Sequence, residues 1–266
     1  MNYQTQPISS GIPTVLAIHG SASSGAQWQP LIEQLDGRQI VLAPDLPGYG
    51  PGAEADIQAM PDRFGWLSDV MRSVGGRFDL IGHSFGGAVA LMLANRNPLL
   101  INSVTLFEPV VPVASDQDTE HLIEQFRGLW DLMRRLDPAA AMQVFCDFWS
   151  HPGHWSNLSE KAHANLARQY PVVMQDFAQA FGGELQQATG GYKGPMTILQ
   201  GSESPAVAGA MSQVVARQYP QTRVLVLRGL GHLAPMTVPD IVNPVLLDCL
   251  EEHAPRLTQP TRKLAG

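Results

Sequence analysis

Short apolar runs alternate with longer amphipathic segments over the first part of the chain. Pro13-Thr-Val-Leu-Ala-Ile18 is apolar, β-branched and ends at His19-Gly20, which predicts a strand buried on both faces of a parallel sheet. Apolar residues at Trp28, Leu31, Ile32 and Leu35 have helical spacing, and Gly37 stops that helix. Gln39-Ile-Val-Leu-Ala43 predicts the next strand, followed by the turn-rich Pro44-Asp-Leu-Pro-Gly-Tyr-Gly50. A helix over Pro61 to Val74, a strand Phe78 to Ile81, a helix Gly86 to Asn95 and a strand Ser103 to Phe107 continue the rhythm.

From about Val111 to Tyr192 the alternation stops. Leu122, Phe126, Leu129 and Met133 form one helical stripe there, and Ala141, Phe145 and Phe148 another. The alternation returns with a strand at Met196 to Gln200, a helix at Ala206 to Gln218, a strand at Thr222 to Leu227 and a last helix from about Pro239 to Glu252. This order predicts an α/β fold with a mostly parallel sheet flanked by helices. The core is expected at 1–110 and 193–256, an inserted helical cap at 111–192, and a flexible tail at 257–266. A cap in that position would cover the sheet's C-terminal edge, where open α/β sheets bind ligands.

Composition narrows the partners. The 17 basic and 24 acidic residues give a net charge of −7, which argues against nucleic acid and leaves a small molecule as the expected partner. A hydrophobic content of 44% fits a packed globular chain. The polar N-terminus does not read as a signal peptide and no run is long enough for a membrane span, so a cytoplasmic protein is expected. The two cysteines, Cys146 and Cys249, are far apart and read as small apolar residues, with no metal-ligand spacing around them.

The chemistry is carried by Gly82-His-Ser-Phe-Gly86, a G-x-S-x-G pattern. Alone, this pattern arises by chance in roughly one chain in ten of this length. Here an apolar strand runs into it and a small-residue helix runs out, so Ser84 is expected on a sharp strand-to-helix turn with its hydroxyl exposed. A serine hydroxyl needs a base to become a nucleophile. Of the eight histidines, His232 in Gly229-Leu-Gly-His232 follows the last strand in a loop returning to the same sheet edge, and is the expected base. His83 should point away from the cleft, and His19 should hold the loop after Gly20. His121, His151, His154, His163 and His253 fall in the cap or tail.

Taken together, His19-Gly20, Ala43-Pro-Asp-Leu-Pro-Gly-Tyr-Gly50, Gly82-His-Ser-Phe-Gly-Gly87 and Gly231-His232 resemble the α/β-hydrolase superfamily in kind and order, from about residue 12 to 252 less the cap. The resemblance implies an oxyanion hole built from the backbone N–H of Phe85 and one from the loop after Gly20, Ser21 ahead of Ala22. It also exposes two departures. Few residues precede the first strand, so the sheet should be short at one edge. Ser204 stands where similar proteins often carry the triad Asp. Some α/β hydrolases, including part of the haloalkane dehalogenase family, instead carry the acid after the strand that follows the nucleophile strand. That makes Glu108 the expected acid and Glu203 its competitor. Asp45 reads as a turn residue bonding local backbone.

These readings converge on a cofactor-independent, carboxylesterase-like serine hydrolase with catalytic Ser84, His232 and Glu108, needing no metal and acting on a small to medium, fairly apolar acyl substrate. A serine nucleophile disfavours dehalogenase and epoxide hydrolase chemistry, which the resemblance associates with Asp. Carbon–carbon bond hydrolysis of diketone-type products, perhydrolase or hydroxynitrile lyase activity, and a non-catalytic ligand receptor are the alternatives.

Overall fold

A computed structural model describes residues 14–50, 63–74, 76–182, 185 and 191–253. The expected tail at 257–266 lies outside them. The first half alternates as β1 (Thr14–Ile18), α1 (Gln29–Leu35), β2 (Ile40–Leu42), α2 (Gly65–Val74), β3 (Phe78–His83), α3 (Phe85–Arg96) and β4 (Ile101–Phe107). Three long helices follow: α4 (Gln117–Met133), α5 (Pro138–Trp149) and α6 (Glu160–Gly182). The alternation then resumes with β5 (Met196–Gly201), α7 (Ala206–Gln218), β6 (Thr222–Leu227), a helical turn at Ala234–Thr237 and α8 (Pro239–His253).

The strands form one six-stranded sheet in the order β2-β1-β3-β4-β5-β6, with every pairing parallel. Side chains alternate between its faces. Leu16, Leu80, Leu106 and Ile198 pack toward α2, α3 and the inserted helices, whereas Val15, Ile81, Phe107 and Leu199 pack toward α1 and α8. Burial on both faces is why these strands read as near-continuous apolar runs. Among the described residues, the three-residue β2 is the edge on the N-terminal side.

The insertion shares the core rather than forming its own. Ile123, Phe126, Leu129 and Met133 of α4 belong to the same buried cluster as α3 and the sheet. Leu122, expected in that stripe, is only half-buried, and Ile123 takes the central position. Asp116 caps α4 reciprocally with Thr119, and Asp137 caps α5 ahead of Pro138, so both helices start where sequence chemistry dictates. Among the described residues no helix is long and apolar enough to cross a membrane.

Close approach of α3 to β1 is a steric condition of the fold. A Cβ added at Gly86 would lie 2.3 Å from the His19 carbonyl oxygen and 2.5 Å from that of Ile18. Gly86→Ala should therefore cost about 2 kcal/mol or more through overpacking, lowering Tm by roughly 5 °C. A Cβ at Gly128, on an exposed part of α4, would meet nothing within 4 Å. Gly128→Ala should raise stability by about 0.5–1 kcal/mol. Thermal unfolding of the two variants checks both signs.

Candidate active site

The last rungs of the β3–β4 ladder pair Gly82 with Leu106 and His83 with Phe107, so Ser84 and Glu108 leave the sheet at the same level on adjacent strands. The Ser84 N–H donates to the Phe107 carbonyl at 2.9 Å, and the Val110 N–H donates to the Ser84 carbonyl at 3.0 Å. The Glu108 N–H donates to the Leu199 carbonyl at 3.0 Å, tying the same corner to β5. Both residues adopt the left-handed region, Ser84 at φ 55° and Glu108 at φ 46°. Such backbone costs of order 1–3 kcal/mol per residue and persists only where the surroundings enforce it.

The His232 loop reaches this corner. His232 Nε2 lies 3.0 Å from Ser84 Oγ, and His232 Nδ1 lies 2.6 Å from Glu108 Oε2. With the carboxylate accepting at Nδ1–H, Nε2 is the face turned to the serine. Glu108 Oε1 accepts from the Gly201 N–H at 2.7 Å, so both oxygens of this fully buried carboxylate have partners. The indole of Trp149, at the end of α5, stacks on the His232 ring with centroids 4.0 Å apart.

Glu203 is elsewhere. Its carboxylate accepts from its neighbour Ser202 Oγ at 2.9 Å in an exposed position. The β5 loop that carries Ser204 contributes a backbone donor to Glu108, not an acid to His232. Asp45 corrects its reading as a locally bonded turn residue. Its Oδ1 accepts from the Gly25 N–H at 2.7 Å, joining the loops that follow β1 and β2. His19 behaves as expected: it accepts from the Leu46 N–H at Nε2 (2.8 Å) and donates from Nδ1 to the Gly20 carbonyl (2.8 Å). His83 accepts from Gln27 at Nδ1 (3.2 Å) and donates from Nε2 to the His232 carbonyl (2.9 Å), behind the reacting atoms. His121 and His151 are exposed, and His163 stacks on Trp155.

A narrow cavity of about 20 Å³ opens on Ser84, with Phe126, Phe145, Trp149 and Phe177 of the insertion forming its apolar walls. Phe85 begins α3, so its N–H has no intrahelical acceptor, and Phe85 and Ser21 both line this region. The next residue, Ala22, is at φ 59°, in the left-handed region. One wall is polar. Asp176 of α6 is buried there, and burial pushes its carboxyl above the ordinary range, with Arg63 and the Ser21 and Tyr49 hydroxyls pulling the other way. Its sequence signal was legible only as a charge on the apolar face of α6 defined by Val173, Phe177 and Ala180. Among the described residues, no grouping of three His, Cys, Asp or Glu could hold a metal ion.

A strained serine between a parallel strand and the helix behind it defines a class, the hydrolases built on a nucleophile elbow. The chain belongs to the alpha/beta hydrolase family, whose family model matches residues 15–245. It is 27% identical over 258 residues, 91% of this chain and 89% of the relative, to a Pantoea ananatis protein provisionally named as the carbamate hydrolase RutD. It is 25% identical over 243 residues to a 2-succinyl-6-hydroxy-2,4-cyclohexadiene-1-carboxylate synthase of Salmonella typhimurium, covering 88% of this chain and 92% of that one. In fold it resembles MGS-M2, an alpha/beta hydrolase from a deep-sea metagenome library, at a TM-score of 0.73 and 14% identity, covering 93% of this chain and 91% of that one.

The buried histidines set an acid limit on stability. Burial lowers His19 from 6.5 to about 4, and burial together with His232 pushes His83 well below its ordinary value. Both rings are neutral in the fold and protonate more readily in the unfolded chain. Unfolding stability is thus full above about pH 6.5 and is lost as pH falls from there toward about 4, by about 3 kcal/mol for His19 alone. Urea unfolding at pH 7 and pH 4.5 should show the loss, and His19→Asn should flatten that slope.

Proposed function

We propose that this chain is a serine hydrolase that cleaves an ester or related acyl bond, a carbamate included, through an acyl-enzyme at Ser84. One observation carries the reading: the continuous line from Ser84 Oγ to His232 Nε2 at 3.0 Å, and from His232 Nδ1 to Glu108 Oε2 at 2.6 Å. His232 takes the hydroxyl proton as Ser84 Oγ bonds to the acyl carbon, and the carbonyl electrons move onto oxygen. Glu108 holds the ring in its Nδ1–H form and balances the imidazolium. The Phe85 and Ser21 N–H groups receive the oxyanion. His232 then returns its proton to the leaving group, and water attacks the acyl-enzyme by the same route in reverse.

The helical insertion acts as a cap in this reading. The aromatic walls of the cavity lie beside Ser84. Their apolar character favours a small to medium acyl group.

A fluorophosphonate probe with mass mapping, together with turnover of nitrophenyl esters, tests the proposal. Ser84 should be the labelled residue, and Ser84→Ala should abolish both labelling and turnover. Absence of label on the folded protein sinks the reading. Glu108→Gln should lower kcat about 10³–10⁴-fold by losing the tautomer control, while Glu203→Gln should stay within about threefold of the parent. The opposite ranking would reassign the acid.

A further inference from the structure

The wall of the cavity holds an ionisable group that acyl transfer does not use. Asp176 sits on the buried face of α6, and its Oδ2 accepts from Ser21 Oγ and from the Tyr49 hydroxyl, each at 2.5 Å. Its Oδ1 accepts from Arg63 at 2.5 Å. The guanidinium lies behind the carboxylate, bonded also to Gln179 Oε1 (3.0 Å) and the Pro47 carbonyl (2.8 Å), with its side chain fully buried. Arg63 cannot give up its proton, so a neutral Asp176 would strand a buried cation. The pair is therefore ionic and oriented, with its negative end on the cavity and its positive end away from it.

Among the described residues lining the cavity, Asp176 is the one that carries charge. A buried ion pair is a poor way to fasten two elements, since apolar groups of similar volume do so at least as well. What the pair adds is an acceptor-only surface beside the nucleophile, because an ionised carboxylate offers about four acceptor positions and three are taken here. We infer that Asp176 is the specificity-determining residue of this cavity, selecting uncharged acyl groups that carry a hydrogen-bond donor and rejecting those that carry a carboxylate. Among the described residues Oδ2 has two donors and Oδ1 one, so a hydroxyl or amide N–H on the acyl group meets the acceptor position left on Oδ1, whereas a carboxylate brought there faces a like charge whose counter-ion, Arg63, is already bonded to Asp176, Gln179 and the Pro47 carbonyl. The inference rests on the acyl-hydrolase reading and deepens it to a substrate class.

Three nitrophenyl esters of one arylacyl frame, ending in methyl, hydroxyl or carboxylate, test it on the intact protein. The expected order in kcat/KM is hydroxyl, then methyl, then carboxylate, with the carboxylate ester at least about 30-fold below the methyl ester. Asp176→Asn should narrow the methyl-to-carboxylate gap about tenfold or more, with Ser84 labelling by fluorophosphonate reporting that the site is intact. Tyr49→Phe removes one donor from Asp176 and leaves Arg63 in position. It should widen the hydroxyl preference and keeps the test decisive if the Asn variant does not fold. Equal use of the methyl and carboxylate esters by the parent protein, or ratios unmoved in the folded variants, overturns the inference while leaving the acyl-hydrolase reading standing. No turnover of any ester together with an unlabelled Ser84 overturns both.

Discussion

Everything at the active corner hangs on the last rung of the β3–β4 ladder, where the Ser84 N–H bonds to the Phe107 carbonyl. That bond levels the ends of two central strands, so the residues that follow them, Ser84 and Glu108, emerge side by side. Neither could hold a left-handed backbone unaided. Val110 N–H on the Ser84 carbonyl and Leu199 carbonyl on the Glu108 N–H close the corner from both sides. The glycines at 82 and 86 let α3 lie against the sheet beneath it, since a Cβ at Gly82 would sit 2.6 Å from the Gly86 carbonyl oxygen. The strain is thus supported by the most buried part of the sheet and not by a loop.

In the proposed reading, the place of the acid follows from the same level. With Glu108 one residue beyond β4, its side chain reaches both His232 and the Gly201 N–H at the end of β5. The β5 loop is then freed from supplying a carboxylate, and it carries Ser204 there. What the end of β5 supplies is a backbone donor, the Gly201 N–H. A fully buried carboxylate with a donor on each oxygen avoids the desolvation cost that an unpaired charge would incur.

The parts of this arrangement differ in how far apart they lie in the chain, and that governs what sequence could reveal. Ser84 was legible because its whole local context, strand, glycines and helix, is contiguous. His232 was legible because one topological rule returns its loop to the sheet edge. Glu108 was legible as one of two acids, since the choice depended on strand register. Asp176 was not read at all: its partners Ser21, Tyr49 and Arg63 come from three separate core segments, and Ser21 is 155 residues distant. Trp149 was not singled out, because periodicity does not distinguish a ring over His232 from a ring over leucine. The start of α2 moved to Gly65 from an expected Pro61, with residues 61 and 62 outside those described.

The insertion therefore contributes more than cover. It meets the reaction centre at two chemically different points, an indole against the imidazole and a carboxylate against the loop after β1. The first contact lays an aromatic face against the imidazole. The second fixes the side chain of Ser21, the residue whose backbone is proposed to meet the oxyanion. Both contacts are made in this structure, so in the proposed reading the base and the oxyanion loop are held in place by the insertion as well as by the sheet.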